Sequence, residues 1–190
     1  NSTDGPVFTG RIQRNGYAIE KYFLKGEGDY VIPYLLMIPS HANGKTILYL
    51  HPAGKGAEAG PGGEIEWFVK NGFTVLAPDL PGAGELGAGD FEGDAFIGGV
   101  SHNIWYTSTL IGRSIVGIQA GDISRMLNYL KGRRDVDQTR LGAIGIGEMC
   151  LPLMHAAAFN PGITNVIFKG GLMSYRSIAT NRKFMMGLTK

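Results

Sequence analysis

The sequence predicts an α/β protein: a mainly parallel sheet with helices on both faces, preceded by an antiparallel N-terminal lead-in. Three observations predict it. After residue 45, apolar β-branched runs alternate with amphipathic stretches, the pattern of βαβ units. Glycine makes up 30 of 190 residues, roughly twice the usual share, and clusters at 54–63, 82–99 and 142–147, each time just after a strand-like run. The first forty residues instead read as strands joined by tight turns.

The elements follow in order. Arg11–Arg14 and Tyr17–Leu24 flank Asn15-Gly16, a dipeptide suited to the positive φ angles of a two-residue hairpin. Val31–Ile38 reads as a further strand, with Pro33 best tolerated at an edge or a bulge. Strand Thr46–Leu50, helix Glu64–Asn71, strand Thr74–Ala77, helix 114–130, strand Arg140–Ile146, helix 148–159 and strand Asn165–Lys169 complete the alternation. Leu48, Val75, Ile144 and Ile167 are expected in buried strands. In helix 114–130, Ile115, Ile118, Ile123, Met126, Leu127 and Leu130 are spaced for one apolar stripe, and Asp122 among them reads as a residue packed against the sheet. Residues 79–112 are too long for a simple connection. Their Gly-rich front and their aromatics Phe91, Phe96, Trp105 and Tyr106 suggest a loop or lid over a site.

Bulk composition narrows the function. A chain of 190 residues, 44% hydrophobic and 18% charged, suits one domain spanning 1–190. Eighteen basic against sixteen acidic residues leave +2, and the run Lys131, Arg133, Arg134 suits a helix C-terminus better than nucleic acid. No nucleic-acid partner is expected. No apolar run reaches the roughly 18 residues of a membrane span. The single Cys150 forbids an internal disulfide and a Cys-rich metal site, and fixes no compartment. Residue 1 is Asn, so the chain reads as trimmed or processed, and no leader is legible in it.

The chemistry concentrates at residues 139–150, Thr-Arg-Leu-Gly-Ala-Ile-Gly-Ile-Gly-Glu-Met-Cys, a buried strand running through a sharp turn into a helix. The G-x-S-x-G elbow places Ser on such a turn, with small neighbours where the backbone is crowded. Laid on Gly145-Ile146-Gly147-Glu148-Met149, that pattern puts Gly147 at the Ser position and Met149 at the second Gly.

Two earlier segments complete a resemblance. Ile47-Leu48-Tyr49-Leu50-His51-Pro52-Ala53-Gly54 looks like the strand and His-Gly-type oxyanion loop of the α/β-hydrolase superfamily. Val75-Leu76-Ala77-Pro78-Asp79-Leu80-Pro81-Gly82-Ala83-Gly84-Glu85 resembles that family's next strand and its Asp-x-x-Gly-x-Gly loop. Together with the elbow-like segment they span about 30–170. The lead-in, with Leu110-Ile111-Gly112-Arg113-Ser114, resembles the acetyl-xylan-esterase-like and peptidase-like esterases. The resemblance implies an oxyanion hole from the backbone N–H groups of Ala53 and Glu148, a structural His51, and site loops carrying Gly54, Asp79 and Gly145. It also implies a small ester or carbohydrate-type ligand, no cofactor and no metal. The family's acid and His follow two later strands, and no candidate for either stands between Lys169 and Lys190. The chain is therefore expected to be an incomplete α/β-hydrolase domain, inactive as a Ser hydrolase in this form, with Asn165–Lys169 left at the sheet border and open to self-association.

Competing readings attach to the same residues. Glu148 is the one candidate catalytic carboxylate, although Glu in a first helical turn also complements the dipole. The alternative is an active ester hydrolase using Glu148 or residues beyond 190. Cys150 lies three residues past the Ser position and reads as a buried, inert thiol. His102 and His155 carry no partner pattern. A further alternative, a nucleotide-binding module, has Gly145 and Gly147 but Cys150 at the third glycine, and only Thr164 and Asn165 where a ribose-binding acid belongs. Gly54-Lys55-Gly56 lacks the spacing of a phosphate loop.

Overall fold

The computed structural model describes residues 5–87, 96–97, 100–172, 174, 176 and 180. Strands β1 (Val7–Arg14), β2 (Tyr17–Lys25) and β3 (Val31–Pro39) form an antiparallel meander. The β1–β2 turn places Gly16 at φ 85°, the left-handed conformation its Asn-Gly sequence predicts. The meander joins β4 (Thr46–Leu50), β5 (Thr74–Pro78), β8 (Leu141–Ile146) and β9 (Asn165–Lys169) in one sheet of order β1-β2-β3-β5-β4-β8-β9. β3 runs antiparallel to β5, while β5, β4, β8 and β9 are mutually parallel. Thr46 through Leu50 face Leu141 through Gly145, so the expected neighbours are neighbours. Two-residue strands β6 (Phe96–Ile97) and β7 (Val100–Ser101) form a separate hairpin.

Helices cover both faces, as the alternation predicts. α1 (Glu64–Lys70) closes one side through Ile65 and Val69, which pack with Ile47, Tyr49, Val75, Ala77 and Ile144. α3 (Ile115–Gly132) and α4 (Cys150–Phe159) close the other, where Ile123, Met126, Leu127, Leu130 and Leu153 meet Leu36, Leu48 and Leu76. Each residue of β4 and β5 is buried, as a central strand covered on both sides requires. Ser114 caps α3, its Oγ accepting from Gly117 N at 3.0 Å, a standard N-terminal bond. Pro152 falls in the first turn of α4, where a missing N–H removes no intrahelical bond.

Four expectations change. Pro33 lies inside the sheet, paired with Phe23 without a bulge. Its carbonyl accepts from Asp79 N on the β5 side, and β5 pairing ends one residue away at Tyr34, so the absent N–H points where no strand carbonyl waits. Ile167 is 50% exposed because β9 is the last strand among the described residues. Ile115 and Ile118 are half-buried, and Gln119 and Asp122 take the buried positions in that half of α3. Finally, residues 79–112 hold a helix, α2 (His102–Leu110), besides a 3₁₀ turn at Gly84–Leu86. Phe91, with the rest of 88–95, lies outside the described residues. No described helix is long and apolar enough to cross a membrane.

Candidate functional site

The C-terminal ends of β4, β5, β8 and β9 bring three loops together, the side of a parallel sheet where α/β proteins build their sites. At the end of β4 the chain turns tightly: Gly54 N donates to His51 O at 2.9 Å, and Gly54 adopts φ 88°. Inside this turn Ala53 N donates to His51 Nδ1 at 3.1 Å. The Ala53 N–H, a candidate oxyanion donor, is thus engaged by its own neighbour.

Asp79, 1% exposed, fastens this loop to the next. Its Oδ1 accepts from Lys55 N at 2.6 Å, and its Oδ2 accepts from Lys55 Nζ at 2.5 Å and Glu85 N at 2.9 Å. Lys55 Nζ also pairs with the Glu85 carboxylate. Burial works against the Lys55 charge, but bonds to Asp79 and Glu85 outweigh it and hold the ammonium above its ordinary pKa. A Cβ on Gly54 would lie 2.5 Å from both Asp79 Oδ1 and Gly84 Cα, so this contact requires glycine. Beside it, Ala53, Lys55 and Glu85 wall an open groove of about 670 Å³ floored by Phe23, Pro33 and Leu35.

The β8–α4 turn has the sharpness its sequence predicts. Gly147 adopts φ 56°, a left-handed conformation costly for any residue with a Cβ. A Cβ there would stand 3.8 Å from Pro52 Cγ and meet nothing nearer, which places this turn against the His51–Gly54 loop. Gly145 packs under the helix start, where a Cβ would lie 3.0 Å from Leu153 Cδ2 and 3.1 Å from Met149 O. The turn residues Gly147, Glu148 and Met149 carry no hydroxyl or thiol. Glu148 makes no side-chain hydrogen bond or ion pair with a described residue, and burial pushes its carboxyl above the usual range. Cys150 is buried, its thiol raised by burial and bonded to Gly145 O at 3.1 Å.

A second polar cluster was not legible in the sequence. Lys169, at the end of β9, places Nζ 2.9 Å from both oxygens of Glu64, and Tyr49 OH donates to Glu64 Oε2 at 2.6 Å. Glu64 N in turn donates to Glu58 Oε2 at 3.0 Å. Burial opposes ionisation of Glu64, yet the bonds from Tyr49 and Lys169 prevail, with the nearby His51 ring adding to them, and its carboxyl sits below the usual range. Burial, then the Glu64 bond, drive the Tyr49 phenol well above its ordinary value.

The remaining sequence candidates lie elsewhere or play other parts. His102 meets Trp105 edge-on and Tyr106 at a tilt on α2, with ring centroids 6.3 and 5.6 Å away, and His155 lines a cleft between α3 and α4. Thr164 sits at the start of β9, its N and Oγ1 both donating to Leu141 O. That is the opposite end of the sheet from Gly147, so the position a dinucleotide fingerprint needs cannot face a ligand at this turn. Among the described residues no three His, Cys, Asp or Glu side chains converge as metal ligands.

Compared with known structures, the chain aligns with a Bacteroides fragilis protein assigned to the acetyl xylan esterases at TM-score 0.75 and 22% identity, over 85% of this chain and 47% of that one. The chain has an esterase-like α/β fold. It also aligns with acetyl xylan esterase 1 from Thermoanaerobacterium sp. JW/SL YS485 at TM-score 0.69 and 16% identity, over 97% of this chain and 65% of that one. A glucuronoyl esterase from Solibacter usitatus aligns at TM-score 0.58 and 17% identity, over 87% and 51% of the respective chains. This chain thus spans about half the length of the first of these structures. No family model and no curated protein sequence matches it.

Proposed function

We propose that this chain is an α/β-hydrolase-fold domain of the carbohydrate- and acyl-esterase type that binds a small ester or carbohydrate-type ligand without hydrolysing it through a serine. One observation carries the reading. The strand-to-helix turn after β8 holds Gly147, at φ 56°, a left-handed turn with no hydroxyl or thiol on it, and this supports a nucleophile elbow that lacks the attacking side chain. The likeness to esterase structures supplies the ligand class. In this reading Ala53 and Glu148 offer backbone N–H groups to the ligand's carbonyl oxygen. An assay on acetyl and p-nitrophenyl esters tests it. Turnover near the ~10 per second of an ordinary enzyme would overturn it.

A second reading follows from Glu148, whose carboxyl is raised by burial and meets no described partner. A carboxyl so placed suits general-base activation of water. Activity that Glu148→Gln abolishes, with a pH profile governed by one group, would favour it.

A further inference from the structure

Building on the reading of Ala53 as an oxyanion donor, we propose that His51 gates that donor: its unprotonated Nδ1 occupies the Ala53 N–H, and a second ring proton releases the N–H to a carboxylate or oxyanion ligand. The geometry carries the first half. Ala53 N lies 3.1 Å from His51 Nδ1, and the Gly54 N to His51 O bond closes the turn that holds ring and N–H together. Nδ1 accepts only while it carries no proton. A backbone N–H has one hydrogen to donate, so an N–H given to the imidazole is withheld from the cleft.

The second half follows from what surrounds the ring. An imidazole protonated on both nitrogens donates from each and accepts from neither. Nδ1–H then faces Ala53 N–H donor to donor, and the ring must turn away. Glu64 on α1 is within electrostatic reach of His51, and its negative charge gives the imidazolium a place to go. Lys169 on β9, Tyr49 on β4 and Glu58 in the loop hold that carboxylate. Lys55, in the His51 loop, is committed to Asp79 and Glu85, and Glu148 stands at the adjoining turn. No covalent bond changes: one proton comes from solvent, and one hydrogen bond passes from ring to ligand. His51 is a positioning residue here, since the ligand meets Ala53 and not the imidazole.

Nuclear magnetic resonance of the ¹⁵N-labelled 190-residue chain, with acetate as probe, tests this. The Ala53 amide should move together with the His51 ring in one shared titration, and acetate should shift the Ala53 and Glu148 amides with an affinity about tenfold higher at pH 5.5 than at pH 8. His51→Ala should bind acetate tightly at both pH values, whereas simple attraction of acetate to an imidazolium would leave that variant weak at both. His51→Asn keeps an acceptor that does not titrate, and should bind weakly throughout. An Ala53 amide indifferent to the His51 titration, or equal acetate affinity at both pH values in the parent chain, overturns the gate. Shared titration with acetate shifting neither amide in His51→Ala would instead sink the oxyanion reading and leave the His51–Ala53 contact standing.

Discussion

Tyr30 OH donates to Asp122 Oδ2 at 2.5 Å, while Asp122 Oδ1, equally buried, has no hydrogen-bond partner. The pair ties the start of β3 to the middle of α3 through a carboxyl that is wholly buried. Burial raises the Asp122 pKa from 3.8, against the opposing Tyr30 bond and the Arg125 charge.

A sign follows for stability. The folded chain keeps the Asp122 proton to higher pH than the unfolded chain, so this group's contribution is complete below the unfolded value and falls as pH rises through the folded one. Asp122→Asn cannot ionise. Its stability relative to the parent chain should therefore improve as pH rises above 4, until pH passes the folded value, measured by urea unfolding at each pH. A constant difference would show that Asp122 is ionised to the same degree in the folded and unfolded chains across that range.

Asp79 and Glu85 share Lys55 but should differ greatly on removal. Asp79→Ala strips the acceptor from a half-buried ammonium and two backbone N–H groups, which costs about 3–5 kcal/mol for a broken buried pair. Glu85 is 69% exposed, and Glu85→Gln should cost under about 1 kcal/mol. Denaturant midpoints of the two variants decide it.

Glycines with similar backbone angles should separate by what surrounds them. Gly16→Ala, at φ 85° with no atom within 4 Å of the new Cβ, should cost about 1–2 kcal/mol for the left-handed backbone alone. Gly54→Ala, at φ 88°, meets Asp79 and Gly84 as well and should lose clearly more, together with the native Ala53 amide shift.

Cys150 should react with a thiol reagent only on unfolding. It is buried, its thiol pKa is raised by burial, and Gly171 lies so close that a Cβ there would meet its Sγ at 2.5 Å. Ellman's reagent should label about one thiol per chain in 6 M guanidinium and almost none in buffer. Rapid labelling in buffer would mean that the segment after β9 opens readily.

The strands of the seven-stranded sheet, three of the helices and the turn at Gly147 were legible because local pattern specifies them: alternation, Ser114 as a cap, and glycine where φ is positive; the short β6 and β7 were not read. α2 was not. Its sequence His-Asn-Ile-Trp-Tyr-Thr-Ser-Thr-Leu carries no one-sided apolar stripe, and its aromatics read as lining a loop. Whereas Gly145, read as a loop residue, lies inside β8 opposite Leu50, sequence order put His51, Ala53, Gly54, Asp79 and Gly147 on the loops and turn after β4, β5 and β8. It could not reveal that Asp79 holds Lys55 or that Lys169 reaches Glu64, because those pairs join loops and strands far apart in the chain. It was equally silent on Ala53 N–H being taken by His51, which depends on a ring orientation no motif records.

The sheet's division into an antiparallel and a parallel half sets an order of assembly. β1, β2 and β3 pair with chain neighbours through short turns, so little loop entropy opposes them. The β4–β8 pairing must wait for Thr46 to find Leu141 across about half of the chain, and closures of that span are slow. The meander is then a template on which β5 docks, and the two loops that meet at Gly147 and Pro52 come together only in the closing steps of folding. In pulse-labelled hydrogen exchange the amides of β2 and β3 should become protected before those of β8, leaving the cleft at the strand ends as the youngest part of the molecule.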